Sequence, residues 1–144
     1  MKAARLHAKG DLRVEDIPVP EAPQPGWVTL AVTAAGICGS DLHNFRTGQW
    51  ISRSPSVPGH ELIGRVTAVG DGVTGLSLGD RVVADSRVWC GECPACRAGN
   101  HHLCARLGFV GEVCDGGFAE QCTLPARLLH RLPDTLPDEA AVMA

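Results

Sequence analysis

Four of the seven cysteines in this chain lie close together, at Cys90, Cys93, Cys96 and Cys104. The first three are three residues apart and the fourth follows after seven intervening residues, so their sulfurs can converge on one ion. Four thiolates fill the tetrahedral shell of a structural zinc and leave no position open. We therefore predict a closed zinc lobe over about residues 86–106. Disulfides and an iron–sulfur cluster are the alternatives, although bacterial ferredoxins have a shorter fourth interval.

A second group of possible metal ligands lies outside this lobe and consists of Cys38, His60 and Glu61. Cys38 ends one predicted strand and the other two begin the next long strand, so adjacent strand ends can bring them together. One thiolate, one imidazole and one carboxylate around zinc leave a position open for water or substrate. The same residues also fit a site without metal, with a core cysteine, a loop histidine and a surface acid. Spacing alone leaves both hypotheses open.

Composition sets limits on the function classes to consider. The chain has 144 residues, enough for one domain with a sizeable core. Its net charge of −3 does not indicate a nucleic-acid partner or an anionic membrane. Neither an apolar leader nor a run of membrane-spanning length is present in the sequence. Because four of the cysteines have metal spacing, we expect a reducing compartment, and therefore a cytoplasmic protein.

The elements that must position these residues are short strands separated by glycine- and proline-rich turns. Alternating apolar and polar residues predict seven or so strands rather than alternating strands and helices. This pattern indicates a mainly β domain. The predicted strands cover residues 2–7, 12–17, 27–35, 61–69, 81–84, 118–124 and 128–132.

Little helix is predicted. One short helix should cover residues 39–46, with Ser40 or Asp41 as its N-cap. A second helix should begin at Thr135, which can serve as an N-cap. A domain seldom ends on a helix that has just begun, so we expect the parent protein to continue past Ala144.

The glycines at Gly70, Gly72 and Gly75 match the G-x-G-x-x-G pattern of dinucleotide-binding loops. That pattern requires a helix directly afterwards and an acidic residue about twenty positions later. The following residues predict another turn, and the later position is Ala95. We therefore predict a hairpin turn here, and no cofactor-binding residue within this chain.

Several segments together resemble zinc-dependent medium-chain alcohol dehydrogenases. The sequences GICGSDLH at 36–43 and PGHELIG at 58–64 resemble the catalytic-zinc signature, and the four cysteines resemble the structural-zinc lobe. The sequence DGGFAE at 115–120 resembles the segment after that lobe. The branch of sorbitol, butanediol and idonate dehydrogenases is the most similar.

This resemblance implies that residues 1–144 form a GroES-like catalytic domain. Its expected fold is mainly β, a partly open β-barrel with short helices and a four-cysteine zinc lobe. The Rossmann domain, which binds NAD or NADP in this family, is absent from the chain. The family is commonly oligomeric, so we expect a homo-oligomer when the protein is full length.

The resemblance also assigns roles to single residues. Cys38 and His60 would ligate the catalytic zinc, and Glu61 would ligate it directly or tune it from outside. Zinc acts in this family as a Lewis acid on the alcohol, and hydride passes to the nicotinamide. Ser40 would contact the substrate oxygen and His43 would carry the proton towards solvent. Without that relay, Ser40 is only a helix cap and His43 a solvated surface residue.

The resulting prediction is an alcohol or polyol dehydrogenase with one catalytic and one structural zinc per full-length chain. Its substrate would be a secondary alcohol, its cofactor NAD or NADP, and residues 1–144 alone would be inactive. Two alternatives stay open: a non-enzymatic zinc-stabilised β-domain that binds a partner, and a zinc-dependent lyase or hydrolase.

Five further residues receive simpler predictions. Cys122 should lie in the core, Cys114 should be a free thiol, and His101 should be exposed. Phe45 and Trp50 lie in or just after the first helix, and either line a substrate pocket or pack against the fold.

Overall fold

The structure, a computed structural model, describes residues 1–142. Short strands predominate, which confirms the predicted mainly β class. The strands are β1 Lys2–Ala8, β2 Asp11–Asp16, β3 Trp27–Gly36, β4 Glu61–Val69, β5 Arg81–Ala84, β6 Arg87–Val88, β7 Gly108–Phe109, β8 Gln121–Pro125 and β9 Leu129–Arg131. The α-helices are α1 Gly39–Thr47, α2 Pro94–Arg97 and α3 Asp138–Ala141, and the 3-10 turns are His101–Leu103 and Ala126–Leu128.

A five-stranded antiparallel sheet in the order β8-β3-β4-β5-β9 forms the centre of the domain. The alternation in β3 and β4 has a direct cause, because one face of each strand packs into the core. The register of this pair runs from Val28 opposite Val69 to Gly36 opposite Glu61. The last pair matters for function, since it brings the end of β3 beside the start of β4.

The β1–β2 hairpin packs on two loops, one that precedes β4 and one that precedes β8. The backbone amide of Leu6 donates to the Ser56 carbonyl at 2.8 Å, and that of Ala4 donates to the Phe118 carbonyl at 2.7 Å. These bonds fix the segment before His60 against the rest of the domain.

The main core lies on the face of the large sheet shared by β3, β4, β5 and β8. Its largest side chains are almost completely buried, so their removal from water is the main stabilising term. They include Val28, Leu30, Leu62, Val82, Leu124 and Leu128. Cys122 belongs to the same cluster, as predicted. A smaller cluster on the other face joins Ile63 to Ala141 and Val142 of the last helix and its end.

The strands predicted over 61–69 and 81–84 have the predicted bounds, and the first hairpin is present with strand ends that differ by one residue from those predicted. Residues 70–80 form turns that connect β4 to its antiparallel neighbour β5, so the glycine pattern there belongs to a hairpin connection. Across the described residues 1–142, no helix has the length and apolar character needed to span a membrane.

Both predicted helix caps are wrong. The N-cap of α1 is Cys38, which is the last extended residue before the helix. Ser40 and Asp41 lie inside the first turn, and the Asp41 carboxylate accepts the Cys38 backbone N–H at 2.9 Å. The last helix has Pro137 as its N-cap instead of Thr135, because the chain is still extended at that proline.

The predicted strand over 118–124 begins later, at Gln121. The backbone amides of Gly117 and Phe118 donate to the carbonyls of Gly59 and Pro58, at 2.7 and 3.0 Å. These residues therefore pair with the loop before β4 rather than with β3, which keeps that loop fixed next to His60.

Candidate metal centres

The four-cysteine lobe has the geometry of a tetrahedral metal site. All four sulfurs lie within 4.8 Å of one another. The Cys90 sulfur is 3.5 Å from that of Cys104 and 3.9 Å from that of Cys96. Sulfurs about 2.3 Å from a common zinc in a tetrahedron would be about 3.8 Å apart. A disulfide needs about 2.0 Å, so these distances fit one bound ion and not the disulfide alternative.

Backbone amides point at the sulfurs of the lobe. The N–H groups of Cys93 and Arg106 donate to the sulfurs of Cys90 and Cys104, at 3.4 and 3.3 Å. The amides of Glu92 and Cys93 lower the pKa of Cys90 to about 5, whereas burial raises the pKa of Cys96 to about 12. The backbone N–H groups thus stabilise the thiolate forms of these cysteines, and a bound metal ion would complete their deprotonation.

A side-chain stack connects the lobe to the sheet. The rings of Trp89 and His101 are parallel, with centroids 3.8 Å apart, and the Arg127 guanidinium lies 4.9 Å from the Trp89 centroid. Arg127 also donates to the Trp89 carbonyl at 2.7 Å. The prediction that His101 is exposed is therefore wrong, because one face of its ring packs on tryptophan.

Cys38, His60 and Glu61 form a second centre. One donor atom from each lies within 4.8 Å of the other two. The pairing of β3 with β4 brings Glu61 beside Gly36, and the turn into α1 then brings Cys38 to the same edge. The strand-end argument from the sequence therefore predicted the correct juxtaposition.

Glycine at position 36 is required by this juxtaposition. A Cβ at Gly36 would lie 2.4 Å from the Glu61 carboxylate oxygen Oε2. Such a contact would force the carboxylate away from the other two donors. The glycine therefore leaves space for the acid at the centre.

Asp41 orients His60, a role that the sequence analysis missed. Its Oδ1 lies 3.6 Å from His60 Nδ1, while its Oδ2 accepts the Cys38 backbone N–H. The Asp41 carboxylate, followed by the Cys38 sulfur, raises the pKa of His60 to about 9. A carboxylate behind an imidazole is the usual arrangement that orients a metal-ligating histidine. The spacing of three residues from Cys38 was the available clue, but we interpreted it only as capping.

Ser40 acts on the thiol of Cys38. Its hydroxyl, and then its backbone amide, hydrogen-bond to the Cys38 sulfur and lower the pKa of that thiol, with a smaller contribution from His60. Ser40 also lines the cleft beside His60. Ser40 therefore contacts the candidate ligand and also lines the cleft.

His43 lies one turn further along α1 and is exposed to solvent. Its Nε2 is 2.9 Å from Gln49 Oε1, and its ring centroid is 4.7 Å from that of Trp50. An amide oxygen only accepts, so in this contact the ring donates through Nε2. Gln49 is a further residue that the sequence analysis did not identify.

Two clefts open from the second centre. One, of about 370 Å³, is lined by Ser40, Trp50, His60, Ser86, Phe109 and Glu112. The other, of about 480 Å³, includes His60, Glu61, Asp85, Ser86, Arg87 and His130. Trp50 thus lines a pocket, whereas Phe45 lies in a separate apolar groove with Leu12 and Leu42.

The donors of the second centre fit zinc in type and number. Thiolate, imidazole and carboxylate are all zinc ligands, and three protein ligands leave a fourth position for water or substrate. The fold and its two centres thus define a β-domain with one closed and one open candidate metal site.

Comparison with known proteins identifies the class. Residues 24–134 match the family model for the alcohol dehydrogenase GroES-like domain. An L-threonine 3-dehydrogenase from Idiomarina loihiensis is 40% identical over 99% of this chain and 43% of its own length.

Two solved structures show the same fold. An alcohol dehydrogenase (rspB) from Escherichia coli CFT073, complexed with NADH, superposes with a TM-score of 0.90 at 37% identity, over 99% of this chain and 41% of that one. The 2R,3R-butanediol dehydrogenase from Bacillus subtilis gives 0.87 at 35% identity, over 99% and 43%.

The chain belongs to the alcohol dehydrogenase GroES-like domain family, which confirms the predicted family and fold. It spans about two fifths of the length of these relatives.

Proposed function

We propose that this chain is the catalytic domain of a zinc-dependent oxidoreductase that transfers hydride between a secondary alcohol or polyol and NAD or NADP. The observation that carries the proposal is the open centre of Cys38, His60 and Glu61 at the end of a cleft. The relatives support the reaction class, since they include dehydrogenases and a structure with NADH bound.

The proposed domain division has residues 1–144 as the whole GroES-like domain, with the nicotinamide held by a Rossmann domain elsewhere in the parent protein. Under this division the chain alone is inactive, because it would have no site for the nicotinamide cofactor. Its glycine pattern at residues 70–75 resembles a dinucleotide-binding loop but belongs to a hairpin connection. We place the full-length protein in the cytoplasm as a homo-oligomer, and the lobe supports a reducing compartment because its sulfur separations fit a bound metal and not disulfides.

Cys38 and His60 would hold the catalytic zinc, with Glu61 as a ligand or a carboxylate directly beside it. Zinc bound there would act as a Lewis acid and lower the pKa of the substrate hydroxyl. Asp41 orients His60, and Gly36 keeps the space that Glu61 needs. The four cysteines of the lobe would hold a second zinc, which stabilises the fold and does not meet the substrate.

The proton that leaves the substrate needs a route to water. Ser40 lines the cleft and would accept the substrate proton while its own hydroxyl proton moves on to His43. His43 is three residues later on the same face of α1, and its ring is exposed to solvent. The two residues would therefore form a relay from the cleft to the surface.

The test is an assay of the full-length protein with NAD and NADP against secondary alcohols and polyols, followed by nicotinamide absorbance. We expect zinc-dependent reduction of one cofactor, and loss of turnover in Cys38→Ala and His60→Ala. Cys114→Ala is the matched control, because that thiol lies outside both centres.

Normal turnover in Cys38→Ala would contradict the assignment. Zinc-dependent conversion of a substrate without any cofactor would support the lyase or hydrolase alternative instead. A full-length protein that binds neither cofactor would support the non-enzymatic alternative.

A further inference from the structure

The cleft beside His60 contains one acidic side chain, Glu112, that the proposed chemistry does not use. It shares the wall of this cleft with the aromatic rings of Trp50 and Phe109. Glu112 is half-buried, whereas Trp50 and Phe109 are 38% and 40% exposed. The His43 ring packs against one side of Trp50, so a bound molecule could contact the remaining exposed surface of Trp50 and Phe109.

The backbone fixes the position of Glu112. Its carbonyl accepts hydrogen bonds from Ser52 Oγ at 2.9 Å and from Arg53 Nε at 3.1 Å, and its amide donates to the Phe109 carbonyl at 3.1 Å. The preceding Gly111 has a φ of 84°, and a Cβ there would lie 3.1 Å from the Gly59 nitrogen. The loop is thus packed directly on the residue before His60.

The Glu112 carboxylate has no protein partner within the described residues. Neither a hydrogen bond nor an ion pair to its oxygens occurs among residues 1–142, although Arg53 is close in space. That guanidinium is taken by Asp115, at 2.6 Å. Burial disfavours the charged form of Glu112 and raises its pKa. A cation next to the carboxylate would offset this unfavourable burial of charge.

The charges of the open centre leave this carboxylate as the main recognition charge in the cleft. A divalent ion would be neutralised by a Cys38 thiolate and the Glu61 carboxylate. The Asp41 carboxylate already pairs with the His60 ring and accepts the Cys38 backbone N–H. Anionic substrates would therefore meet net repulsion at Glu112, and cationic substrates would meet attraction.

We propose that Glu112, with the faces of Trp50 and Phe109, selects alcohols that carry a protonated amino group. A carboxylate flanked by aromatic rings is suited to ammonium groups, because the rings add a cation–π attraction to the ion pair. This inference rests on the proposed dehydrogenase function and specifies its substrate class. Glu112 would act in substrate binding and not in the chemical step.

The experiment uses the full-length protein and three small secondary alcohols that differ in charge. These are 1-amino-2-propanol, which is cationic, 1,2-propanediol, which is neutral, and 3-hydroxybutyrate, which is anionic. We expect kcat/KM to fall in that order. In Glu112→Gln the ratio of the cationic to the neutral substrate should fall roughly tenfold, the size of a partly exposed ion pair.

Two further variants separate charge from structure. Glu112→Asp keeps the charge and should retain the preference for the amine. Glu21→Gln makes the same charge change on an exposed residue outside the cleft and should leave the ratio unchanged. An unchanged ratio in Glu112→Gln, or a preference for 3-hydroxybutyrate in the wild type, would overturn the inference.

A protein that oxidises none of the three alcohols would count against the proposed function, and the inference would then be decided by binding. Calorimetry with 1-amino-2-propanol on the zinc-loaded, cofactor-bound protein should give roughly tenfold weaker affinity in Glu112→Gln. Equal affinity in the two proteins would overturn the inference independently of turnover.

Discussion

The two candidate metal centres of this domain are built in opposite ways. The lobe centre takes all its donors from one local segment, residues 90–104, and its four thiols surround the ion. The open centre takes its three donors from strand ends that meet only when β3 pairs with β4. A closed shell of four ligands can stabilise but cannot react, whereas three ligands beside a cleft leave a position for chemistry.

Their surroundings differ in the same way. The lobe sulfurs accept hydrogen bonds mainly from backbone amides, such as those of Cys93 and Arg106, and the Arg106 side chain adds one to Cys90. The open centre depends more on side chains, with the Asp41 carboxylate beside His60 and the Ser40 hydroxyl on Cys38. Its metal affinity and reactivity should therefore respond to single substitutions.

The largest expected difference between the centres is their response to a chelator. In the full-length protein we expect brief chelation to remove the ion at Cys38 and His60 first, because that site is open to the cleft. Activity should disappear while the lobe keeps its zinc and the melting temperature changes little. Parallel assays of activity, zinc content and thermal unfolding would check this. Simultaneous loss of both ions would contradict the expected difference in accessibility between the two centres.

A substitution in the lobe should have the reverse effect. Cys104→Ser removes a buried ligand, and we expect the free energy of unfolding to fall by about 4 kcal/mol, the size typical of a lost metal site. Chemical denaturation and zinc content would measure it. Cys114→Ser is the matched control, since that thiol belongs to neither centre. Equal stability of the two variants would mean that the lobe does not depend on metal.

Asp41 allows the open centre to be tested without removing a ligand. We expect Asp41→Asn to weaken zinc binding there by roughly 10- to 100-fold, the usual effect of losing the carboxylate behind a ligating histidine. Competition with a coloured chelator would measure the affinity. Asp16→Asn, at an exposed surface pair with Lys2, should bind zinc normally. A similar loss in both variants would show that the effect is not local.

The same variant should change the pKa of His60 in the metal-free protein. Asp41 raises this pKa to about 9 from the ordinary value of 6.5. Protonated His60 therefore stabilises the metal-free fold fully below pH 6.5, and this contribution is lost as the pH rises through about 9. NMR titration of the imidazole should give a clearly lower pKa in Asp41→Asn. An unchanged pKa would contradict the proposed ion pair.

The smallest effect is expected where the lobe packs on the sheet. Arg127→Ala removes a cation–π contact and a hydrogen bond to the Trp89 carbonyl, so we expect a loss of about 1 kcal/mol. Denaturation would measure it, with the exposed Arg46→Ala as control. A loss as large as that of Cys104→Ser would mean that this stack, and not the metal, holds the lobe.

Much of this architecture could be predicted from the sequence because its determinants are local. The spacing of the four cysteines, the alternation in β4 and the turn glycines each depend on a few neighbouring residues. The position of Cys38 beside His60 and Glu61 required one further assumption, that the two predicted strands are neighbours in the same sheet, so that the end of one lies beside the start of the other.

The residues that were missed depend on tertiary contacts. Asp41 could be interpreted as a cap from its position, but its second carboxylate oxygen meets His60 only after α1 packs against the loop before β4. Glu112 lies more than fifty residues from His60, and tertiary contacts, including the packing of Gly111 on Gly59 and the bonds from Ser52 and Arg53, bring it to the cleft. Phe118 follows an alternating pattern, yet bonds to Pro58 remove it from the strand.

The presence of two metal centres can be tested directly by the zinc content per chain of the purified full-length protein, wild type and Cys38→Ala, measured by elemental analysis. We expect two zinc ions in the wild type and one in the variant, with the remaining ion in the lobe. Equal zinc content in the two proteins would contradict the claim that Cys38, His60 and Glu61 form a metal centre.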